Sequence, residues 1–418
     1  MKDRPRQNKI VVIGGGPAGM MAAIRAAQLK QDVTLIEKNR MLGRKLLLTG
    51  KGRCNLTNAC DLDPFLERFS DKGQFLRDSF KKMFNKELMD FFEKRGLKLR
   101  TERQLRVFPE TDRSSSILEV LKEELCASGV NVINNTHVKD VIIEDNKVKG
   151  VKFTGSKTIH CDKVTLATGG ISFKFTGSTG DGWKIAEKLG HDIISPYPGL
   201  VPLDVKQKYP GQLEGLSLRN IRLNFSDGRK QIPSEIGEMI FTGTGVSGPL
   251  VLTLSGRVGD WLKKNKNIHI EIDLKPALSR EQLNARLLRE FKSSPGKAVK
   301  NTLKTMLPQR LIAVFMDITG IDPDKKVSQV TREERDNIAV VLKNLRLDIT
   351  KPRPMDEAMI SRGGVSLKQI DPRTMRSRII KDLYFAGEMI DVDADTGGFN
   401  LQAAFSTGYL AGESAASS

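Results

Sequence analysis

Apolar runs that end in glycine recur at three distant points of the chain. Ile10–Ile13 leads to Gly14, Val164–Ala167 leads through Thr168 to Gly169, and Leu383–Ala386 leads to Gly387. Each pattern predicts a short buried strand ending in a glycine turn. Behind the first lies an Ala-rich helical stretch, and Val33–Ile36 then predicts a second strand. Residues 73–95 place Phe75, Phe80, Met83, Phe84, Leu88, Phe91 and Phe92 at helical spacing and predict one amphipathic helix. A second helix is expected over 114–128, with its serine-rich start as N-cap. Residues 138–144 and 148–153 predict a hairpin.

The pattern changes near residue 190. Pro196, Pro198, Pro202 and Pro210 break the chain, and the short β-like runs LSLRNIRLNF, GEMIFTG and NIHIEIDL follow. A charged helical stretch then extends from about 278 to 346, and Pro352 and Pro354 mark a return. This reading divides the chain into 1–190, an inserted part β and part helical domain over 191–352 with its β portion up to about 277, and a return segment 353–418. A terminal helix is expected over 401–413.

With 418 residues, 39% hydrophobic and 28% charged, the chain reads as a soluble globular protein of two or three domains. No apolar run reaches the roughly 18–20 residues of a membrane span. The opening MKDRPRQNK lacks an apolar core, so no secretory signal and a cytoplasmic address are expected. The net charge of +18 would suit an anionic partner, but the lysines occur in dispersed pairs (Lys81-Lys82, Lys263-Lys264, Lys325-Lys326) and only 6% of residues are aromatic. Those features argue for a solvated basic surface and against a nucleic-acid partner. Cys54 and Cys60 are separated by five residues, not the four of flavin disulfide reductases, and Cys126 and Cys161 stand alone. Reduced thiols are expected. The four histidines are scattered, and no metal-ligand spacing is present.

Chemistry enters with Gly14-x-Gly16-x-x-Gly19. Gly14 permits the tight turn, Gly16 admits a pyrophosphate close to the backbone, and Gly19 lets the following helix pack on the sheet. The helix N-terminus supplies N–H groups and a positive dipole end to phosphate. Glu37, 18 residues past Gly19, is placed to bind both hydroxyls of a ribose and disfavours a 2′-phosphate. FAD or NAD is therefore expected rather than NADP. Ligands of a doubly wound sheet sit beyond the carboxyl ends of its strands. The three glycine-tipped ends can thus converge on one extended cofactor, which suits FAD. Asp391-Val-Asp393-Ala-Asp395-Thr-Gly397-Gly398-Phe399-Asn400 then precedes the last helix, with Asn400 as its expected N-cap. Gly243-Thr-Gly245-Val-Ser-Gly248 repeats the glycine spacing, but Pro249 and the β-like surroundings favour a tight turn over a nicotinamide site.

The segments GGGPAGMMAA, GRKLLLTGKGRCNLTN, LATGG, FTGTGVSGP and LYFAGEMIDVDADTGGFNLQAAFSTGYLAG together resemble the BaiN/RdsA (YhiN-like) flavoproteins over the whole chain. The resemblance implies an α/β fold, a Rossmann-like FAD-binding domain interrupted by an inserted β-barrel and helical domain. It implies FAD contacts from Gly14, Gly16, Ala18 and Gly19 at the pyrophosphate, Glu37 and Lys38 at ribose and adenine, and the Val138 backbone at adenine. Arg44 and the loop containing Gly52, Arg53 and Asn55 would flank phosphates and flavin. Thr168, Gly169 and Gly170 would close over the ribityl side, and Gly387, Glu388, Asp391, Gly398, Asn400 and Leu401 would meet the ribityl chain and ring. Lys51 departs from the small residue expected there. It either places a cation near the flavin or points outward. Lys51, Arg53, Tyr384 and Glu388 are catalytic candidates by location alone. Three activities follow: reduction of an activated alkene or enone-type small molecule with NADH or NADPH as a transient donor, oxidation of an aminoacetone-like amine with peroxide release, or binding and modification of RNA by a basic flavoprotein.

Overall fold

The computed structural model describes residues 8–155, 157–264 and 267–417; the polar start of the chain through residue 7 lies outside them. The chain divides into two compact units. One comprises the chain up to Gly199 together with the chain from Met355, and the other is Leu200–Pro354.

The first unit is α/β. In chain order its central elements are β1 (Lys9–Ile13), α1 (Pro17–Gln28), β2 (Asp32–Ile36), α2 (Ser114–Ala127), β3 (Asn131–Ile133), β4 (Lys163–Leu166), α3 (Asp181–Lys188), β5 (Leu383–Phe385) and α4 (Phe399–Ser417). The strands form a five-stranded sheet in the order β5-β4-β1-β2-β3, with every pairing parallel. Ile10, Val11 and Val12 are fully buried, as both faces of a parallel sheet carry helices. Val138–Glu144, Lys147–Phe153 and Thr158–His160 form a three-stranded antiparallel sheet, which adds a strand to the expected hairpin.

Helix α4 lies along α1 with backbone nearly touching backbone. A Cβ at Gly408 would fall 2.2 Å from Ala18 O, and one at Gly412 would fall 2.2 Å from Ala22 O. The pairs 18/408 and 22/412 run in the same direction, so the helices are parallel. Lys163 of β4 also donates to Ala415 O at 2.8 Å, which satisfies a carbonyl near the end of α4. Because Gly408 stands level with Ala18, the first eight residues of α4 overhang the start of α1 by roughly 12 Å. That overhang forms one wall of the site.

The 73–95 stripe folds differently from the single helix its spacing predicts. It becomes a 3-10 turn (Ser70–Leu76) and two short helices, Arg77–Lys82 and Asn85–Glu93. The break has a tertiary cause: Met83 O accepts from Gln402 Nε2 at 3.1 Å and Ser406 Oγ at 2.6 Å, both on α4. At the start of α2 the N-cap position is Arg113, not a serine, and Ser114 Oγ instead donates to Leu47 O at 2.9 Å.

In the second unit, antiparallel pairing runs from Ser217–Ser226 through Gly237–Thr242, Gly245–Ser247, Leu203–Val205, Leu345–Pro352 and Ile268–Asp273, then back to Ser217–Ser226. The ring closes a six-stranded barrel around Leu223, Phe225, Phe241, Ile270 and Leu347, a core separate from that of the first unit. Helices Arg280–Ser293 and Arg332–Lys343 open on capping boxes at Ser279/Gln282 and Thr331/Glu334. Two expectations are corrected here. Residues 193–199 pair with Ile360–Val365 and so belong to the first unit. Leu345–Pro352, expected at the helical end of the insert, is the strand that closes the barrel. The second glycine motif is a hairpin, with Thr242 opposite Gly245, rather than a βαβ turn.

Candidate functional site

Beyond the carboxyl ends of the parallel strands lie two adjoining cavities of about 810 and 890 Å³, solvent mouths included. Both are lined by Gly16, Pro17, Lys45, Leu46 and Ala167, so they form one cleft with the start of α1 at its middle. Gly14 turns the chain at φ +107°, and a Cβ there would fall 2.4 Å from Ala167 O. At Gly16 no atom lies within 4 Å of the Cβ position, so the backbone faces open space. No acid stands in the first turn of α1 and no side chain caps it. Its leading N–H groups and dipole are left for an anion.

The first cavity takes in Gly14, Gly16, Glu37, Lys38, Arg44, Val138, Thr168 and Gly169 of the expected residues. Glu37 is only 8% exposed. Its carboxylate accepts from Gly15 N at 2.8 Å, Asn39 N at 2.8 Å and Asn39 Nδ2 at 2.6 Å, which offsets the cost of burying the charge. At the rim, three groups converge on one oxygen of Asp181. Lys38 Nζ lies at 2.6 Å, Thr179 Oγ1 at 2.7 Å and His137 Nε2 at 3.2 Å. Sequence reasoning passed over Asp181 and His137, because the segments join only through the fold.

The second cavity takes in Gly16, Ala18, Gly387, Glu388, Asn400 and Leu401. Among the described residues, the charged ones in its lining are Lys45 and Glu388, and they pair at 2.6 Å. Lys45 Nζ also donates to Ser172 Oγ at 2.6 Å. Glu388 Oε1 accepts from Ser361 N at 2.6 Å, and Ser361 Oγ accepts from Ile171 N at 2.7 Å and Ser172 N at 2.9 Å. Four segments far apart in sequence are thereby locked around the junction of the two cavities. Lys45 stands in the segment GRKLLLTGKGRCNLTN without having been singled out, and Ser172 and Ser361 carried no motif.

Other expected residues lie outside both cavities. Gly19 packs against Gly14, where a Cβ would meet Gly14 O at 1.9 Å, and Gly170 packs against Ser361. Lys51 is exposed in a left-handed turn at φ +58°, and Gly52 follows it at φ +86°. Arg53 pairs with Glu102 at 2.5 Å and Asp112 at 2.6 Å, with its guanidinium 4.2 Å over the Phe108 ring. The Asn55 amide, its N and O assigned from the network, donates to Thr57 O and accepts from Gly398 N, both at 3.1 Å. Gly398 has φ +98° and a Cβ position 2.4 Å from Thr57 O. Asp391 pairs with Lys72 at 2.6 Å; burial pushes its carboxyl above the usual range, and Lys72 opposes that. Asn400 is not the N-cap of α4, which begins at Phe399. Its side chain accepts from Ala394 N and donates to Ala394 O, both at 2.9 Å, and so clamps the preceding loop. Tyr384 is fully buried in β5 and lines neither cavity. All four cysteines are unpaired, and burial pushes the Cys54 thiol up to about 12. Among the described residues no grouping of His, Cys, Asp and Glu could hold a metal.

A cleft with phosphate donors at its centre, a buried acid at one end and a largely apolar chamber at the other fits a dinucleotide with a large flat ring. FAD meets that description, and when bound it supplies two-electron transfer at its flavin. Comparison with known proteins agrees. The chain is 31% identical over 414 residues to a 3-dehydro-bile acid delta(4,6)-reductase of Clostridium scindens, spanning 98% of this chain and 99% of that protein. It is 29% identical over 404 residues to a ribosomal RNA dihydrouridine synthase of Haemophilus influenzae, spanning 96% of each. Among solved structures, the 3-ketosteroid delta1-dehydrogenase of Sterolibacterium denitrificans superposes with a TM-score of 0.53 at 12% identity, covering 98% of this chain and 100% of that one, a likeness of fold alone. The HI0933-like protein Rossmann domain profile matches residues 8–414. With that match over nearly its full length, the chain belongs to the HI0933-like Rossmann family and is an FAD-dependent oxidoreductase.

Proposed function

We propose that this enzyme saturates a carbon–carbon double bond conjugated to a carbonyl, drawing electrons from NADH or NADPH through FAD. The observation that carries the reading is what its full-length relatives have in common. A delta(4,6)-reductase of a 3-dehydro-bile acid and a dihydrouridine synthase both add two electrons and two protons to an alkene in conjugation with a carbonyl. In this chain Gly14, Gly16 and Ala18 would hold the pyrophosphate, Glu37 and Lys38 the ribose, and Val138 the adenine. Glu388, held in place by Lys45, would orient the ribityl chain, and Asn400 and Leu401 would border the ring. The largely apolar lining of the second cavity would lower the polarity around the reacting face. The nicotinamide would visit that face in turn with the acceptor, so no second dinucleotide fold is needed. Four unpaired cysteines agree with a cytoplasmic address, and among the described residues no helix is long and apolar enough to cross a membrane.

The test is a visible spectrum of the purified protein, followed by anaerobic NADH or NADPH. Rapid bleaching, reversed by an added enone with loss of its conjugated absorbance, is the expected result. Bleaching by a primary amine, reversed only by oxygen, would instead make the protein an amine oxidase. A second reading takes the acceptor to be a uracil of folded RNA. The rRNA-modifying relatives and the net charge of +18 favour it, against the dispersal of that charge. Dihydrouridine formed in RNA incubated with protein and NADPH, with no enone turnover, would select it.

A further inference from the structure

Asp181 opens α3 and lines the first cavity, with 25% of its side chain exposed. Its partners come from both ends of the expected nucleoside site. Lys38 follows Glu37, the acid expected at the ribose, and His137 precedes Val138, whose backbone is expected at adenine. Lys38 Nζ donates to Asp181 Oδ2 at 2.6 Å, and His137 Nε2 lies 3.2 Å from the same oxygen. Thr179 Oγ1 donates to it as well, at 2.7 Å. One more tie closes the frame. Asn39 Nδ2, which bonds Glu37, also donates to Thr176 O at 3.1 Å, in the segment that leads to Asp181. The carboxylate is thereby fixed between the residues expected at the ribose and those expected at the base.

Oδ2 takes all three contacts, and among the described residues none is bonded to Oδ1. A carboxylate with one oxygen saturated keeps its acceptor capacity on the other. Burial pushes the Asp181 carboxyl up, but Lys38, Thr179 and His137 outweigh it and hold the group below the usual carboxylate range. At neutral pH it can therefore only accept. On the adenosine half of FAD the ribose hydroxyls go to Glu37, which leaves the 6-amino group of adenine as the donor for Oδ1.

We infer that Asp181 selects the base of the cofactor, its Oδ1 accepting from the 6-amino group of adenine and repelling a 6-oxo purine. The inference goes beyond the alkene-reductase reading, since it concerns the cofactor's base and holds for any acceptor; it rests on the adenosine of FAD lying in the first cavity. A carboxylate facing an exocyclic amine tells bases apart by hydrogen bonding. The same carboxylate facing a carbonyl disfavours the wrong base by repulsion.

The test is equilibrium dialysis of the flavin-loaded protein against equal amounts of FAD and its hypoxanthine analogue, in which a 6-oxo group replaces the 6-amino group. Chromatography of the bound flavin gives their ratio. Wild type is expected to hold FAD over the analogue by about tenfold or more. Asp181→Asn, whose amide both donates and accepts, should bring the ratio close to one. Asp181→Ser, whose hydroxyl does the same, replaces it should the amide variant fail to fold. If Asp181 only braced Lys38 and His137, either variant would weaken both flavins alike and leave the ratio unchanged. That outcome overturns the inference, and so does a wild type that does not discriminate. Enone reduction by a wild type that does not discriminate leaves the alkene-reductase reading standing while this inference falls. A discriminating wild type that reduces no enone does the reverse.

Discussion

Glu37 does two jobs with one carboxylate. It satisfies the N–H groups of Gly15 and Asn39, and it borders the cavity where a ribose would lie. Glu37→Ala is expected to weaken FAD retention by about 10- to 100-fold, the worth of lost charge-assisted hydrogen bonds. Glu37→Gln, which can still accept from Gly15, should lose less. Equilibrium dialysis against FAD checks both, and an equally yellow Ala variant would remove Glu37 from the site. His191 shows a different use of a buried polar group. Its Nε2 lies 2.7 Å from Ser377 Oγ and its Nδ1 lies 3.2 Å from Ala186 O. Burial lowers its pKa below the ordinary 6.5, so the unfolded chain binds a proton that the folded one refuses. Stability should therefore be full above pH 6.5 and fall as pH drops through and below that value. His191→Gln should flatten the dependence of Tm on pH over that window. At this scale the sequence was legible where one residue type has one use. Gly14, Gly16 and Glu37 stand in the cleft, while Tyr384 and Arg53, chosen for their neighbours in sequence, are committed to core and to ion pairs.

At the scale of elements, α4 and its seat on α1 decide the shape of the site. The small residues Ala18, Ala22, Gly408 and Gly412 let the helix backbones meet. Gly408→Ala would place a methyl carbon 2.2 Å from Ala18 O. The helix must then shift, which should cost about 1–3 kcal/mol and release FAD more readily than it unfolds the barrel. Differential scanning calorimetry with and without added FAD would show this as a loss of the cofactor-dependent rise in Tm. Unchanged FAD affinity in that variant would mean that the register of the two helices does not set the chamber. Strands and helices with strong periodicity were legible: β1, β4 and β5 lead to their glycines, and β2 leads to Glu37. The 73–95 stripe was not, because its apolar spacing fits one helix as well as a 3-10 turn and two short helices. The choice is made by Gln402 and Ser406, which take the Met83 carbonyl from more than 300 residues away.

For the whole molecule, charge and composition described a surface and left the site untouched. The division into a sheet domain and an insert could be read from the prolines and from the change in apolar pattern. The barrel's closing strand could not, since Leu345–Pro352 follows a helix directly and pairs on one side with Leu203–Val205, more than 140 residues earlier. Long-range pairing of this kind leaves no local trace, and the same holds for the Lys45–Glu388 pair at the centre of the cleft.

The overhang of α4 has a consequence for how the enzyme is made. Phe399–Ser417 is synthesised after the sheet's other four strands, after the whole insert and after β5, yet it walls the second cavity, where the flavin ring is proposed to lie. A chain still being translated can form the glycine turn and offer the start of α1 to a phosphate, but it has nothing to close over the ring. If FAD binds as proposed, its capture must wait until Phe399–Ser417 has been made, and a chain cut short before Phe399 is expected to be colourless.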